Sequence, residues 1–285
     1  MKSVFFSVIV PTFERPRDLE TCLNALKKEN QTTTLPYEII VSDDSKTNHS
    51  RKLVEEKFPK ILWGCGKKNG PAGNRNAGTE RAIGKWLVFI DDDCIAEKEF
   101  LKAYSEAIEQ NSAIEVFEGR IFADRPRKTW AEGCPENSQG GMFWTSNLCV
   151  KKSTFERLEG FDERFRVAYE DVEFAHRIKQ FRIPTDFVYK ASVCHPWRSL
   201  RSGGKNWKNK GYQIESLLLF LAKHADAYSL YGKPRIYLRN FIRTLTKDLF
   251  FCLFFLGGRG VDVLFKQAFV SLKTIIILSR PKSDK

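Results

Sequence analysis

Three consecutive aspartates, Asp91, Asp92 and Asp93, close the run Trp86 to Asp93 (WLVFIDDD). Adjacent carboxylates repel one another and are costly to desolvate, so a chain that sets three of them at the end of an apolar strand has to neutralise them. A hard divalent cation can do so, since Mg2+ or Mn2+ takes one or two protein carboxylates and completes its shell with phosphate oxygens. A solvated acidic turn capping a helix that begins near Glu97 accounts equally well for the triplet taken alone. A second acidic pair, Asp43 and Asp44, follows the apolar run YEIIV and belongs to a polar cluster able to cap a helix. Glu170 and Asp171 stand at the start of a helical pattern, where acids are ordinary partners of the helix dipole. Arg75, near the start of the helix within Asn69 to Gly84, combines a cation with a helix N-terminus, an arrangement that favours phosphate. His195, beside Pro196, is either structural or a ligand.

These groups need a frame. Val4 to Val10, Tyr37 to Val41, Ile61 to Trp63 and Trp86 to Ile90 read as strands, with helices between them such as Arg17 to Lys28, whose Leu19, Cys22, Leu23 and Leu26 recur at helical spacing. Alternation of this kind predicts a parallel sheet with right-handed crossovers, and open α/β sheets bind ligands at the carboxyl ends of their strands. Further along, Glu97 to Gln110 reads as a helix, and Ile114 to Phe122 and Gly141 to Val150 as strands around a polar stretch, Ala123 to Gly140, expected to be a mobile loop. Thr154 to Leu158 is a short helix, Phe174, Ile178 and Phe181 share a helix face, and Asp186 to Val193 is a last strand.

Charge divides the 285-residue chain unevenly. Residues 1 to 195 hold 30 Lys+Arg against 30 Asp+Glu, and residues 196 to 285 hold 17 against 5, so the whole formal excess of +12 sits in the last third. A neutral body with a basic tail points to an anionic surface as the tail's partner. The seven cysteines form no CxxC pair and are odd in number, which argues against a zinc site or a complete disulfide framework and for a reducing cytosol. VFFSVIV runs into PTFERP with no signal-peptide cleavage site, and LFFCLFFL (Leu249 to Leu256) is far short of the roughly 20 residues a spanning helix needs. Along the expected helix Ile236 to Leu256 and the residue before it, Arg235, Arg239, Arg243 and Lys247 form a cationic stripe beside Ile236, Phe241, Leu245 and Leu249, as in helices that lie on anionic lipid. The same stripe could be the solvated face of a packed helix, and Leu264 to Leu278 is a second candidate.

In order along the chain, SVIVPTFERP, EIIVSDDS, NGPAGNRNAG, FIDDD, SNLCVKKSTFERLEGFDERF, YEDVEF with Arg177, and His195 resemble the motifs of family-2 glycosyltransferases over about residues 4 to 200. Ser45 stands where a Gly is usual and Glu14 where Asn is frequent. The resemblance implies an α/β chain of GT-A fold, a Rossmann-like, mostly parallel sheet flanked by helices, over residues 1 to 200; the charge and helical pattern of the last third add a basic amphipathic helical extension over 201 to 285. It implies an inverting, metal-dependent enzyme that moves a sugar from a UDP- or dTDP-sugar to a saccharide or lipid-linked saccharide, of the kind that builds bacterial surface polysaccharide.

Residue by residue, the resemblance places Pro11, Phe13, Glu14 and Asp44 at the donor, with Asp44 accepting the imide N–H of uracil or thymine, and Arg75 near the diphosphate or sugar. Asp91 and Asp93, with Asp92 between them, would hold ribose and a Mn2+ or Mg2+ ion that His195 also reaches. Asp171 would be the general base, with Glu170 and Asn147 orienting acceptor or sugar, and Cys94 is assigned to packing. The implied location is the cytoplasmic face of the cell membrane, without nucleic acid as a partner. Two other readings compete with this one. A nucleotidyltransferase would want a Gly-rich, Lys-containing phosphate loop after the first strand, which PTFERPRDL does not supply, and a nucleic-acid-binding protein would have no need of the clustered acids.

Overall fold

The computed structural model describes residues 4–200 and 206–279. The first strand, β1 (Phe6–Thr12), is buried along its whole length, the condition of a strand in the middle of a sheet covered on both faces. Helix α1 (Pro16–Leu26) follows, entered through a proline in its first turn and buried through Leu19, Cys22, Leu23 and Leu26. Then come β2 (Tyr37–Asp43), α2 (His49–Lys57), β3 (Leu62–Cys65), α3 (Pro71–Thr79) and β4 (Trp86–Phe89). Strand β1 pairs in parallel with β2 on one side and β4 on the other, and β3 extends the sheet beyond β2. The register sets Thr12 beside Asp43 and Ile9 beside Phe89, so the carboxyl ends of three strands finish at one edge. Helix α3 lies close to the sheet because its inner residues are small: a Cβ on Gly78 would come within 2.6 Å of the Ile9 side chain.

The second half adds β5 (Ile95–Ala96), α4 (Phe100–Gln110), β6 (Val116–Ala123), β7 (Glu132–Gly133), β8 (Leu148–Lys151), α5 (Lys152–Arg157), α6 (Glu170–Gln180), β9 (Thr185–His195) and β10 (Arg198–Ser199). Eight strands form one mixed sheet in the order β3-β2-β1-β4-β8-β6-β9-β5. Strand β8 runs antiparallel to both β4 and β6, and β5 runs antiparallel to β9.

The chain forms two compact units, one of residues up to 124 together with 135–196, the other of residues 125–134 together with 197 onward. In the second, β7 pairs with β10, and the helices are α7 (Asn206–Lys223), α8 (Tyr228–Tyr231), α9 (Pro234–Arg243), α10 (Leu249–Phe255) and α11 (Val261–Leu278). A π turn, Thr244–Asp248, joins α9 to α10, so the helix expected over 236–256 is one run with an irregular centre. Its expected partner over 264–278 is α11, which packs along α9. The first residues of the expected extension, 201–205, lie outside those described.

Three expectations differ from the structure. The strand expected over 141–150 is confined to Leu148–Lys151, because the buried carboxylate of Glu118 accepts the backbone N–H groups of Gly141, Met142 and Phe143 at 2.6, 2.9 and 2.6 Å and removes them from any ladder. The stretch 123–140 is not a single loop, since 125–134 belongs to the second unit. Phe181 lies past the end of α6 and is 63% exposed, whereas Phe174 and Ile178 are buried.

Candidate active site

The three consecutive aspartates have three different jobs. Asp92 is fully buried and accepts a hydrogen bond from the Thr12 hydroxyl at 2.7 Å, with an Arg15 nitrogen 3.0 Å away. Its burial pushes the carboxyl up to about 7 despite that company. Asp93 takes a second Arg15 nitrogen at 2.7 Å on one oxygen and has His195 Nε2 3.4 Å from the other. Asp91 turns away from both, accepting from Arg75 at 2.8 Å and from the Ser146 hydroxyl at 2.7 Å. Burial works to raise the Asp91 carboxyl, but the guanidinium and the hydroxyl hold it below the usual range. The repulsion expected among three neighbouring carboxylates is thus relieved by two arginines, Arg15 and Arg75.

Topology explains why His195 is there. Strand β5 begins two residues after Asp93, and its antiparallel pairing sets Ile95 against Cys194 at the end of β9. His195 follows directly, its Nδ1 2.8 Å from the Pro196 carbonyl oxygen. Asp93, Cys94 and His195 each bring a ligand atom to within 4.8 Å of the other two. Of these, the carboxylate and imidazole fit a Mn2+ or Mg2+ ion that takes few protein ligands and fills its shell with phosphate oxygens. Burial and the neighbouring aspartates raise the Cys94 thiol well above its ordinary value, so it is a poor ligand for a hard ion. Asp91, expected to share the metal, is not in this group; its two carboxylate oxygens face Arg75 and Ser146.

Arg75 is the hub of the site. It is buried, and from the first turns of α3 it donates to Asp91 and, at 3.1 Å, to Glu170 at the start of α6. The adjacent Asp171 accepts the Val172 N–H at 2.8 Å and is close enough to Arg75 and Asp91 to feel both charges. Burial raises both Glu170 and Asp171 above the ordinary carboxylate range. Tyr169, immediately before them, adopts a left-handed backbone (φ +76°) that starts the helix sharply.

A cleft of about 510 Å³ opens beside these groups, lined by Pro11, Phe13, Asp44, Asn74, Arg75 and Asp91 and by the cations Arg15, Lys46 and Lys68. Phe13 offers a half-exposed ring. Asp44 is anchored by the Lys68 backbone N–H at 2.9 Å, and burial raises its carboxyl. A wall with one aromatic face, fixed carboxylates and several cations can hold a base and its phosphates together.

Two of the expected site residues, Glu14 and Asn147, make scaffold contacts in this structure. Glu14 accepts the N–H groups of Lys46 and Thr47 and the Thr47 hydroxyl, at 2.7, 3.1 and 2.6 Å, and so ties the turn after β1 to the turn after β2. Asn147 is buried between strands, giving hydrogen bonds to the carbonyls of Arg120 and Ala191 and taking one from the Tyr104 hydroxyl. These bonds use both of its N–H donors and one lone pair of its oxygen, so in this structure the side chain ties strands together. Sequence reasoning missed Arg15, Thr12 and Ser146. All three lie inside the quoted motifs SVIVPTFERP and SNLCVKKSTFERLEGFDERF, which could have singled them out, but their contacts with the aspartates come from the adjacency of β1, β4 and β8.

A family model described as Glycosyl transferase family 2 matches residues 7–166. The chain is similar to an uncharacterized glycosyltransferase of Haemophilus influenzae, 28% identical over 190 residues, which covers 61% of this chain and 62% of that protein. It is also similar to the GalNAc(5)-diNAcBac-PP-undecaprenol beta-1,3-glucosyltransferase of Campylobacter jejuni, 35% identical over 92 residues, 30% of this chain and 29% of that one. The matches thus span less than two thirds of either relative. Among solved structures, Staphylococcus aureus TarS 1-349 in complex with UDP shares the fold, with a TM-score of 0.54 at 20% identity over 82% of this chain and 78% of that one.

Proposed function

We propose that this chain, which belongs to glycosyl transferase family 2, moves a sugar from a UDP- or dTDP-linked donor to a hydroxyl of a saccharide or lipid-linked saccharide and inverts the anomeric carbon in one displacement. The observation that carries the reading is the Arg75 bridge, which fixes the Glu170–Asp171 pair beside the same cleft that Asp44, Phe13 and Asp91 line. That linkage supports a reading in which donor and acceptor meet in one fixed geometry. The UDP in the TarS complex supports the nucleotide half, and the undecaprenol named for the C. jejuni relative supports a lipid-linked acceptor.

The pyrimidine lies against Phe13 with its imide N–H directed at Asp44, and Arg15, Lys46 and Lys68 face the phosphates. Asp171 takes the proton of the acceptor hydroxyl as that oxygen bonds to the anomeric carbon. The bond from that carbon to the diphosphate breaks, and its electron pair leaves with the nucleoside diphosphate. Asp93 and His195 would hold a Mn2+ or Mg2+ ion, which when bound stabilises the negative charge of the leaving group. Glu170, through Arg75, keeps α6 and the base in register with the cleft.

Calorimetric titration with UDP-, dTDP-, GDP- and ADP-sugars tests the donor assignment. Binding is expected only for the pyrimidine nucleotides, strengthened by Mn2+ and insensitive to Mn2+ in Asp93→Ala. Equal affinity for a purine nucleotide sugar contradicts the role of Asp44, and an unchanged metal effect in the variant contradicts that of Asp93.

The helical second unit is assigned to the anionic inner face of the membrane, where a lipid-linked acceptor is presented. The charge excess of the last third supports this, and among the described residues no helix is long and apolar enough to cross a membrane.

A further inference from the structure

Among the described residues, twelve large apolar side chains between positions 238 and 276 are exposed, against eight in the whole of 4–196. They include Phe250, Phe251, Leu253, Phe254 and Phe255 on α10, the last two 71% and 68% exposed. On α11, Phe265, Phe269, Leu272 and Ile276 recur at helical spacing as one exposed stripe. Exposed aromatic residues in such density mark an interaction surface.

Beside α10, in the same unit, lies a cavity of about 400 Å³ lined by Arg127, Lys128, Phe255, Leu256, Gly257 and Arg259. Three of the six are cations, none is an acid, and Phe255 belongs both to the cavity and to the apolar surface. Arg127 is held rigidly. Its guanidinium stacks on Trp130 at 4.1 Å and lies 5.5 Å from Trp197, and it donates to the carbonyls of Thr129, Trp130 and Glu132. The segment that carries it is latched to the turn between α10 and α11 by Trp130, whose N–H donates to the Arg259 carbonyl at 2.8 Å and whose ring meets Phe251. Gly260 (φ +93°) makes that approach possible, since a Cβ there would come 2.3 Å from the Ala131 nitrogen. Lys128 and Arg259 are exposed. The nearby Asp262 is engaged by Lys266 on its own helix at 3.6 Å.

We propose that this cavity binds the phosphate headgroup of an anionic phospholipid while the phenylalanines of α10 enter the acyl region beside it. The proposal rests on the membrane reading above and sharpens it from a general basic tail to one built site. Charge complementarity selects the occupant: crowded cations with no acid among them want a phosphate, and an aromatic edge continuous with the same cavity wants the hydrocarbon just beneath that phosphate.

Co-sedimentation of the full chain with phosphatidylglycerol-containing and pure phosphatidylcholine vesicles tests it. The unaltered protein should bind the former much more strongly. Lys128→Glu/Arg259→Glu should weaken that binding at least about tenfold, and clearly more than the equal charge change Arg235→Glu/Arg239→Glu on α9. Phe254→Ser/Phe255→Ser should also weaken it, and donor affinity should be unchanged in all three variants. If the unaltered protein ignores phosphatidylglycerol, the membrane reading falls and this site with it. If it binds but the two charge reversals are equivalent, the membrane reading stands and the headgroup site is overturned. Loss of a dimer in the phenylalanine variant, with vesicle binding intact, would assign the surface to a second copy and also overturn the proposal.

Discussion

Asp171→Asn is expected to bind the nucleotide sugar as the unaltered enzyme does and to lose transfer by about 10² to 10⁴, the usual worth of general-base assistance. Asparagine has nearly the same shape and its side-chain oxygen can still accept the Val172 N–H, so the start of α6 should survive. What it cannot do is accept a proton. The same residue should set the acid limb of the pH profile. Burial raises the Asp171 carboxyl, and a base works only when ionised. Activity should therefore fall with decreasing pH at a value above that of an ordinary exposed aspartate, whereas donor binding should persist below it. Turnover near normal in Asp171→Asn would show that the carboxylate serves only the helix dipole.

Arg75→Met should cost more in stability than any other single change in the site, about 3–5 kcal/mol, because it strands two carboxylates that are now paired. The side chains of Asp91 and Glu170 are only 22% and 10% exposed, so water replaces the guanidinium poorly. A thermal midpoint lower on the order of 10 °C is the expected reading. Its pH dependence gives a second check. Without Arg75 the folded-state values of both acids lie above their unfolded values, so folding is favoured below the unfolded values and that contribution is lost as pH rises through the folded ones. The deficit of the variant should therefore shrink on acidification. Arg75→Lys, which keeps one charge but cannot reach two carboxylates in a fork, should fall between. A deficit independent of pH would mean that the arginine acts through packing alone.

Much of the frame was legible because its signals are local. Short apolar runs such as WLVF and VIV read as strands covered on both sides, and the small residues of NGPAGNRNAG suit a helix pressed on a sheet. The acids at the strand ends were legible for the same reason. Their division of labour was not. Whether Asp91 or Asp93 meets His195 depends on the antiparallel return of β9 against β5, a pairing between residues about a hundred positions apart that no spacing rule encodes. The contacts of Asn147 and Glu14 were not legible, because type and neighbourhood are shared by binding and scaffold asparagines and glutamates; only the fold shows the interior carbonyls around Asn147 and the Thr47 turn around Glu14. Arg15 lies inside the SVIVPTFERP motif but gets no role from it, since an arginine before a helix is ordinary until two buried aspartates are found beside it. In the last third the cationic stripe was visible, but the cationic cavity joins residues 127–128 to 255–259 and exists only in the folded unit.

A single displacement with Asp171 as base fixes the anomeric configuration of the product, and that configuration can be read directly. From an α-linked UDP- or dTDP-sugar the product should be a β-glycoside, identified by the one-bond and three-bond couplings of the new anomeric proton in the first-formed product. An α-glycoside would contradict the mechanism, since retention requires a second displacement or front-face attack that one base in this position does not provide.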